Sequence, residues 1–170
     1  MIDALREFAD PFNFAQINYV TNDVDEAVMR LKRTYGIPEF SITRGAEVQT
    51  AKGPARIHGA LAFAGGRQIE VLQPAGGADG VYRDWLPRET GFALRHHHYG
   101  HLITSAEDWQ RVKAIIRAKG WDTPVGGNYD NAIEYLYVDV RHEIGHYLEF
   151  MYHNEKGMEF FRAAPGYTGN

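Results

Sequence analysis

The chain of 170 residues contains no cysteine. Disulfides and thiolate metal sites are therefore excluded, and a metal here has to be held by His, carboxylate, amide or backbone oxygen. Long apolar runs are absent too. No stretch approaches the roughly 18 apolar residues that a membrane span needs, so no membrane partner is expected. Excess positive charge is also missing. Lys and Arg number 18 against 22 Asp and Glu, for a formal charge of -4, and no basic stripe is available for a nucleic-acid backbone. The segment Met1 to Glu7 carries acids early and no apolar core, unlike a signal peptide, and the lack of cysteine is compatible with a cytoplasmic protein.

What is present fits a globular chain. Hydrophobic residues make up 44% and charged residues 24%, enough to fill a core at this length. The chain also carries 8 His, a generous supply of metal ligands.

The organisation is set by an internal repeat. Gln16 to Asp23 is a run of strand formers ending in a helix cap. Asp23 and Glu26 form a capping-box pattern, and Val24, Ala27, Val28, Leu31 and Tyr35 recur at helical spacing before Gly36 and Pro38 stop the helix. The same order returns from His98: a strand to Ser105, a cap at Ser105 with Asp108, an apolar stripe of Trp109, Val112, Ile115 and Ile116, and a stop at Gly120. A hairpin follows each helix. In the first half Ile57 to Ala64 and Gln68 to Gln73 flank a turn at Gly65-Gly66-Arg67. In the second, Ile133 to Val140 and His146 to Tyr152 flank a turn at Arg141 to Gly145. A further strand is expected near Phe40 to Thr50 and near Trp121 to Tyr129. The predicted architecture is α+β, two βαβββ modules in one chain forming a curved mixed sheet around a shared cup, with helices outside. The expected division is one domain over 1–170. Module 1 covers about 12–74, a linker 75–95 with one helical turn near Tyr82 to Leu86, module 2 about 96–153, and a tail 154–170 with a short helix at Glu155 to Ala163.

Strand alternation then points to a site. Ile69 and Val71 share one face and are expected on the helices, so Glu70 points into the cup. Leu148 and Phe150 do the same in the second half, so Glu149 points inward. Gln16 and His98 each open the first strand of a module at the same distance before its cap. The repeat thus singles out Gln16, Glu70, His98 and Glu149. Unpaired carboxylates in a sheet cavity cost several kcal/mol without compensation. Three oxygen donors and one imidazole suit one divalent metal ion, with Zn, Ni, Co, Mn and Fe all compatible.

These segments resemble the vicinal oxygen chelate superfamily, which includes glyoxalase, methylmalonyl-CoA epimerase, extradiol dioxygenases and bleomycin-resistance proteins. The resemblance covers nearly the whole chain. It rests on Gln16-Ile17-Asn18-Tyr19-Val20 with Asp23-Val24-Asp25-Glu26-Ala27, on Ile69 to Pro74, on His98-Tyr99-Gly100-His101, and on Gly145 to Glu149. It implies that the first and last strands of each half supply the metal ligands, here Gln16, Glu70, His98 and Glu149, a set similar to the glyoxalase version. Many relatives carry His at the place of Gln16. It further implies a lyase or isomerase acting on a small oxygenated substrate through a metal-stabilised enolate, with Glu149 moving the proton and Glu70 as its partner. Relatives often pair, which implies a homodimer. A resistance-type protein of this fold that binds a small molecule without turnover is the alternative. A ring-cleaving dioxygenase, which usually uses two His and one carboxylate, fits the ligand set less well.

Other histidines weigh less. Alternation lets at most every second residue of His96-His97-His98 reach one metal, so His96 and His97 are expected in a loop or at the surface. His101 is expected on the face opposite His98. His142-Glu143-Ile144-Gly145-His146 matches the H-E-x-x-H signature of zinc proteases. That chemistry needs a helix, and Gly145 and the hairpin context oppose one. His146, Arg141 and Asn18 are candidates for substrate contact. Tyr129, Tyr135 and Tyr137 are candidates for facing a ligand, with no basis for choosing among them.

Overall fold

The computed structural model describes residues 2–9 and 14–169. The expected start of the first module near residue 12 and the last residue of the tail lie outside them. In the first half, β1 (Gln16–Thr21), α1 (Val24–Tyr35), β2 (Ser41–Thr50), β3 (Gly53–Ala64) and β4 (Arg67–Gly77) follow in order. A turn of helix, α2 (Gly80–Arg83), joins them to the second half. There β5 (Leu94–Ile103), α3 (Ala106–Lys119), β6 (Gly126–Tyr129) and β7 (Ile133–Val138) are followed by a four-residue helix α4 (Arg141–Ile144) and β8 (Tyr147–His153). The chain continues into α5 (Glu155–Ala163). No helix among the described residues is long and apolar enough to cross a membrane.

The two helices expected from the repeat start and stop where their caps dictate. Asp23 accepts hydrogen bonds from the backbone N–H groups of Asp25 and Glu26, and Ser105 accepts one from Asp108. Gly36 and Gly120 end their helices in the left-handed conformation, at φ 67° and 64°, where a side chain would be strained.

All eight strands form one sheet in the order β2-β3-β4-β1-β5-β8-β7-β6. β1 pairs with β4 and β5 with β8 in parallel, while β1 and β5 meet antiparallel and join the halves. The stagger is the same in both modules. Gln16 pairs with Gln68 and Asn18 with Glu70; His98 pairs with Tyr147 and Gly100 with Glu149. Gln16 and His98 are therefore equivalent positions, as are Glu70 and Glu149. The sheet curves until its edges meet, with a bridge between Thr50 and Val125 and a hydrogen bond from Ala51 N–H to the Pro124 carbonyl at 2.9 Å.

Packing follows the alternation. Ile69 and Val71 lie in one core with Val24, Ala27 and Leu31 of α1, and Leu148 and Phe150 lie in another with Trp109, Val112 and Ile116 of α3. A third core fills part of the concave face, where Tyr82 from the linker packs with Val20, Leu72, Val125 and Tyr137. Glu70 and Glu149, one residue out of phase with the helix-facing positions, are left pointing into the cup.

Three elements depart from the expectation. β5 begins at Leu94, four residues before the expected strand. The linker turn is a buried part of the interior, with Tyr82 1% exposed. The expected turn at 141–145 is one helical turn, closed by Gly145 at φ 82°.

Candidate metal centre

Glu70 on β4, His98 on β5 and Glu149 on β8 come together inside the cup. Each offers one ligand atom, and these atoms lie within 4.8 Å of one another. His98 Nε2 is 3.2 Å from Glu149 Oε2 and 3.9 Å from Glu70 Oε2. The His98 side chain is fully buried and that of Glu149 is 7% exposed, whereas Glu70 is 20% exposed and marks the more open side. Among the described residues this is the one such group of His and acid side chains.

Burial raises both carboxyl pKa values, each to about 8, and at Glu70 the charge of Glu149 raises it further while the bond from Asn18 opposes the rise. Burial likewise holds His98 well below the usual imidazole value. The unpaired polar atoms test whether a cation suits the place. Gln16 Oε1, Asn18 Oδ1, His98 Nε2 and Glu149 Oε2 are all buried without a hydrogen-bond partner among the described residues. Each is a lone-pair donor, and leaving such atoms bare in an interior is costly. A divalent cation held by His98 Nε2 and Glu149 Oε2, 3.2 Å apart, would satisfy both, so the donor set fits one.

The two amides differ in attachment. Asn18 pairs with both Glu70 and His98 across the sheet, is fully buried, and donates from Nδ2 to Glu70 Oε2 at 2.7 Å. Gln16 donates from Nε2 to Gln68 Oε1 at 2.7 Å, which turns its own Oε1 toward Gly100, the partner of Glu149. Gln68 was not among the residues singled out from sequence, although its position two before Glu70 places it on the same face.

Other candidates lie elsewhere. Arg141 is bidentate on Asp139, at 2.8 and 2.5 Å, with its guanidinium 4.6 Å above the Tyr147 ring. His146 meets His96 and Tyr99 edge to face, on the Tyr99 side of the sheet, because residues 146 and 148 alternate with the inward-pointing 147 and 149. Neither is brought to the three. His142 and Glu143 are exposed on a helix of four residues, which does not present His142 and His146 on one face. Of the three tyrosines, Tyr137 is buried with its ring 4.5 Å from that of His98, Tyr135 is partly buried, and Tyr129 is 62% exposed.

The expectation of a surface His97 is corrected. His97 is fully buried, and its Nδ1 lies 2.9 Å from His98 Nδ1. The reason is a β-bulge: Asn18 pairs with His98 but Tyr19 pairs with His96, so His97 is an extra residue in β5 and alternation breaks there. His96 is partly buried in the strand, not in a loop.

No family profile and no curated protein matches the sequence. Solved structures do. Methylmalonyl-CoA epimerase from Mycobacterium tuberculosis superposes with a TM-score of 0.55 at 12% identity, over 82% of this chain and 86% of that one. The chain has the vicinal oxygen chelate fold. A variant of the Streptomyces coelicolor methylmalonyl-CoA epimerase, in complex with 2-nitronate-propionyl-CoA, gives 0.51 at 14% identity, over 83% and 94%. A hypothetical protein from Bacillus halodurans gives 0.52 at 15%, over 84% and 95%. The vicinal oxygen chelate fold hosts many reactions, so the comparison carries architecture and not a reaction.

Proposed function

We propose that this protein is a divalent-metal-dependent isomerase or lyase of the glyoxalase and epimerase type, acting on a small oxygenated substrate. The observation that carries the reading is the convergence of Glu70, His98 and Glu149, whose ligand atoms lie within 4.8 Å of one another, with the amide oxygens of Gln16 and Asn18 on the neighbouring strand buried and unpartnered. His98, Glu70 and Glu149 would hold the metal, with Gln16 Oε1 as a fourth donor. A bound cation supplies Lewis acidity toward two neighbouring substrate oxygens. Two glutamates and one histidine differ from the two-His, one-carboxylate set of ring-cleaving iron enzymes. The exposure of His142 and the single turn of α4 oppose a zinc protease.

The side chains divide the remaining work. Asn18 pins Glu70 through Oε2, which suits a fixed ligand. Glu149 Oε2 has no hydrogen-bond donor holding it. Glu149 is thus the group to take a proton from the carbon beside a substrate carbonyl and to return it. The low-dielectric surroundings that raise its pKa also make it a stronger base toward such a carbon. Entry is from the side of Glu70, the most exposed of the three.

Metal analysis by mass spectrometry tests the reading, on protein purified without a histidine tag or added metal. About one metal per chain is expected, lost in His98→Ala and Glu149→Ala and kept in His142→Ala. Methylmalonyl-CoA is the first substrate to assay, because two structures of similar fold are epimerases for it by name. Loss of metal only in His142→Ala, or no uptake of Zn, Ni, Co, Mn or Fe on reconstitution, would overturn the proposal.

A further inference from the structure

We infer that His97 is a positioning residue, which dictates the nitrogen that His98 presents to Glu70 and Glu149. A backbone carbonyl has no proton to give. The 3.1 Å contact between His97 Nε2 and the Val81 carbonyl therefore makes Nε2 the donor. A neutral imidazole carries one N–H, so His97 Nδ1 is left as an acceptor. At 2.9 Å from it, His98 Nδ1 has to be the donor. His98 Nε2 then keeps its lone pair, and Nε2 is the atom that faces both glutamates.

The neutrality this argument needs follows from the surroundings. Both rings are fully buried. His97 is walled by the rings of Tyr82, Trp85 and Tyr147, at 5.5, 5.1 and 4.8 Å between centroids. An imidazolium at His97 would be desolvated with no carboxylate beside it, and at His98, although the two glutamates lie beside the ring, complete burial disfavours the charged form.

The relay starts in the linker. The Trp85 indole donates to the His96 carbonyl at 2.6 Å, while the Val81 carbonyl accepts from His97, so the linker turn and the β5 bulge are stitched in both directions. Without the extra residue, His97 would face away from His98 and the two Nδ1 atoms would not meet. The bulge, the aromatic wall and the Val81 carbonyl act together to fix one tautomer. Its use rests on the metal-centre reading, since a histidine that donates from one nitrogen is oriented to ligate with the other. The tautomer itself is a property of the metal-free protein.

Two-bond proton–nitrogen correlation spectra of metal-free, full-length protein labelled in its histidines read this directly, with the His98 signals assigned from their loss in His98→Ala. The expected result is a proton on His98 Nδ1 and a bare Nε2. In His97→Phe, which keeps a ring but has no acceptor, the proton should shift toward Nε2 and zinc affinity should fall about 10–100-fold. His97→Gln, whose amide can accept at one end and donate at the other, should retain the tautomer. A wild-type His98 protonated on Nε2 overturns the inference. So does a His97→Phe protein that keeps both the tautomer and the zinc affinity. Should His97→Phe fail to fold, the wild-type spectrum still decides. Zinc uptake is measured in parallel: wild-type protein that takes up none overturns the metal-centre reading, while the spectrum judges the relay independently.

Discussion

At Gly100 a single hydrogen atom in place of a side chain keeps the centre assembled. A Cβ there would lie 2.8 Å from Met151 Cε, 3.0 Å from Gln16 Cβ and 3.1 Å from Gln16 Oε1. The methionine end can swing away. Gln16 is tied to Gln68 and cannot follow without losing that bond. Gly100→Ala should therefore destabilise the protein by about 1–3 kcal/mol, as overpacking does, and turn Gln16 Oε1 out of place; urea unfolding measures the first. Asn18 presents the complementary case. Asn18→Leu keeps the branching and the number of heavy atoms and removes the donor to Glu70, so a chelator competition should show zinc affinity about 10–100-fold lower. Gly100 was within reach of sequence reasoning only as a position on a strand, and Asn18 as a candidate for substrate contact. Their partners were not, because a hydrogen bond between Asn18 and Glu70 depends on the register of two strands far apart in sequence. His97 was misplaced for a sharper reason. Parity arguments assume an unbroken ladder, and the inserted residue that breaks it leaves no mark in His96-His97-His98.

The secondary elements were more legible, and their causes are local. Asp23 and Ser105 sit where a side-chain oxygen can take the free N–H groups of a first helical turn, and the structure makes those bonds. Asp23→Ala and Ser105→Ala should each cost about 0.5–2 kcal/mol. Asp23 should be the larger, since it accepts two bonds to the one that Ser105 accepts. Chemical denaturation of the two variants side by side checks the order. The repeat of strand, cap, helix and hairpin was enough to place Glu70 and Glu149 in equivalent strands, and the observed stagger agrees. The linker was not legible in the same way. Its glycines and polar residues read as a connection, yet Val81, Tyr82 and Trp85 are structural parts of the interior. The helical turn expected near Tyr82 to Leu86 lies at Gly80–Arg83, and its importance comes from what it touches across the sheet, which the sequence does not show.

For the molecule as a whole, burying acids and imidazoles together in one cup makes stability depend on pH, and the two kinds of group pull in opposite directions. Glu70 and Glu149 bind protons more tightly folded than unfolded, with values pushed up to about 8 from an ordinary 4.5. They therefore contribute stability that is complete below the unfolded value and is lost as pH rises toward the folded one. His97, His98 and His153 are depressed by burial, so their contribution is lost as pH falls below about 6.5 and is complete above it. Between pH 4.5 and 6.5 the slopes oppose each other. Between 6.5 and 8 only the carboxyls still change. Metal-free protein should then lose on the order of 1–2 kcal/mol of stability per pH unit over that upper window, as urea unfolding in the presence of a chelator would show. Zinc should reverse the slope, because it binds the deprotonated ligands, displaces their protons and stabilises the folded chain more as pH rises. A metal-free stability that instead rises between pH 6.5 and 8 would mean that the two glutamates are already ionised in the cup, and that the buried acids are held by something other than protonation or a cation.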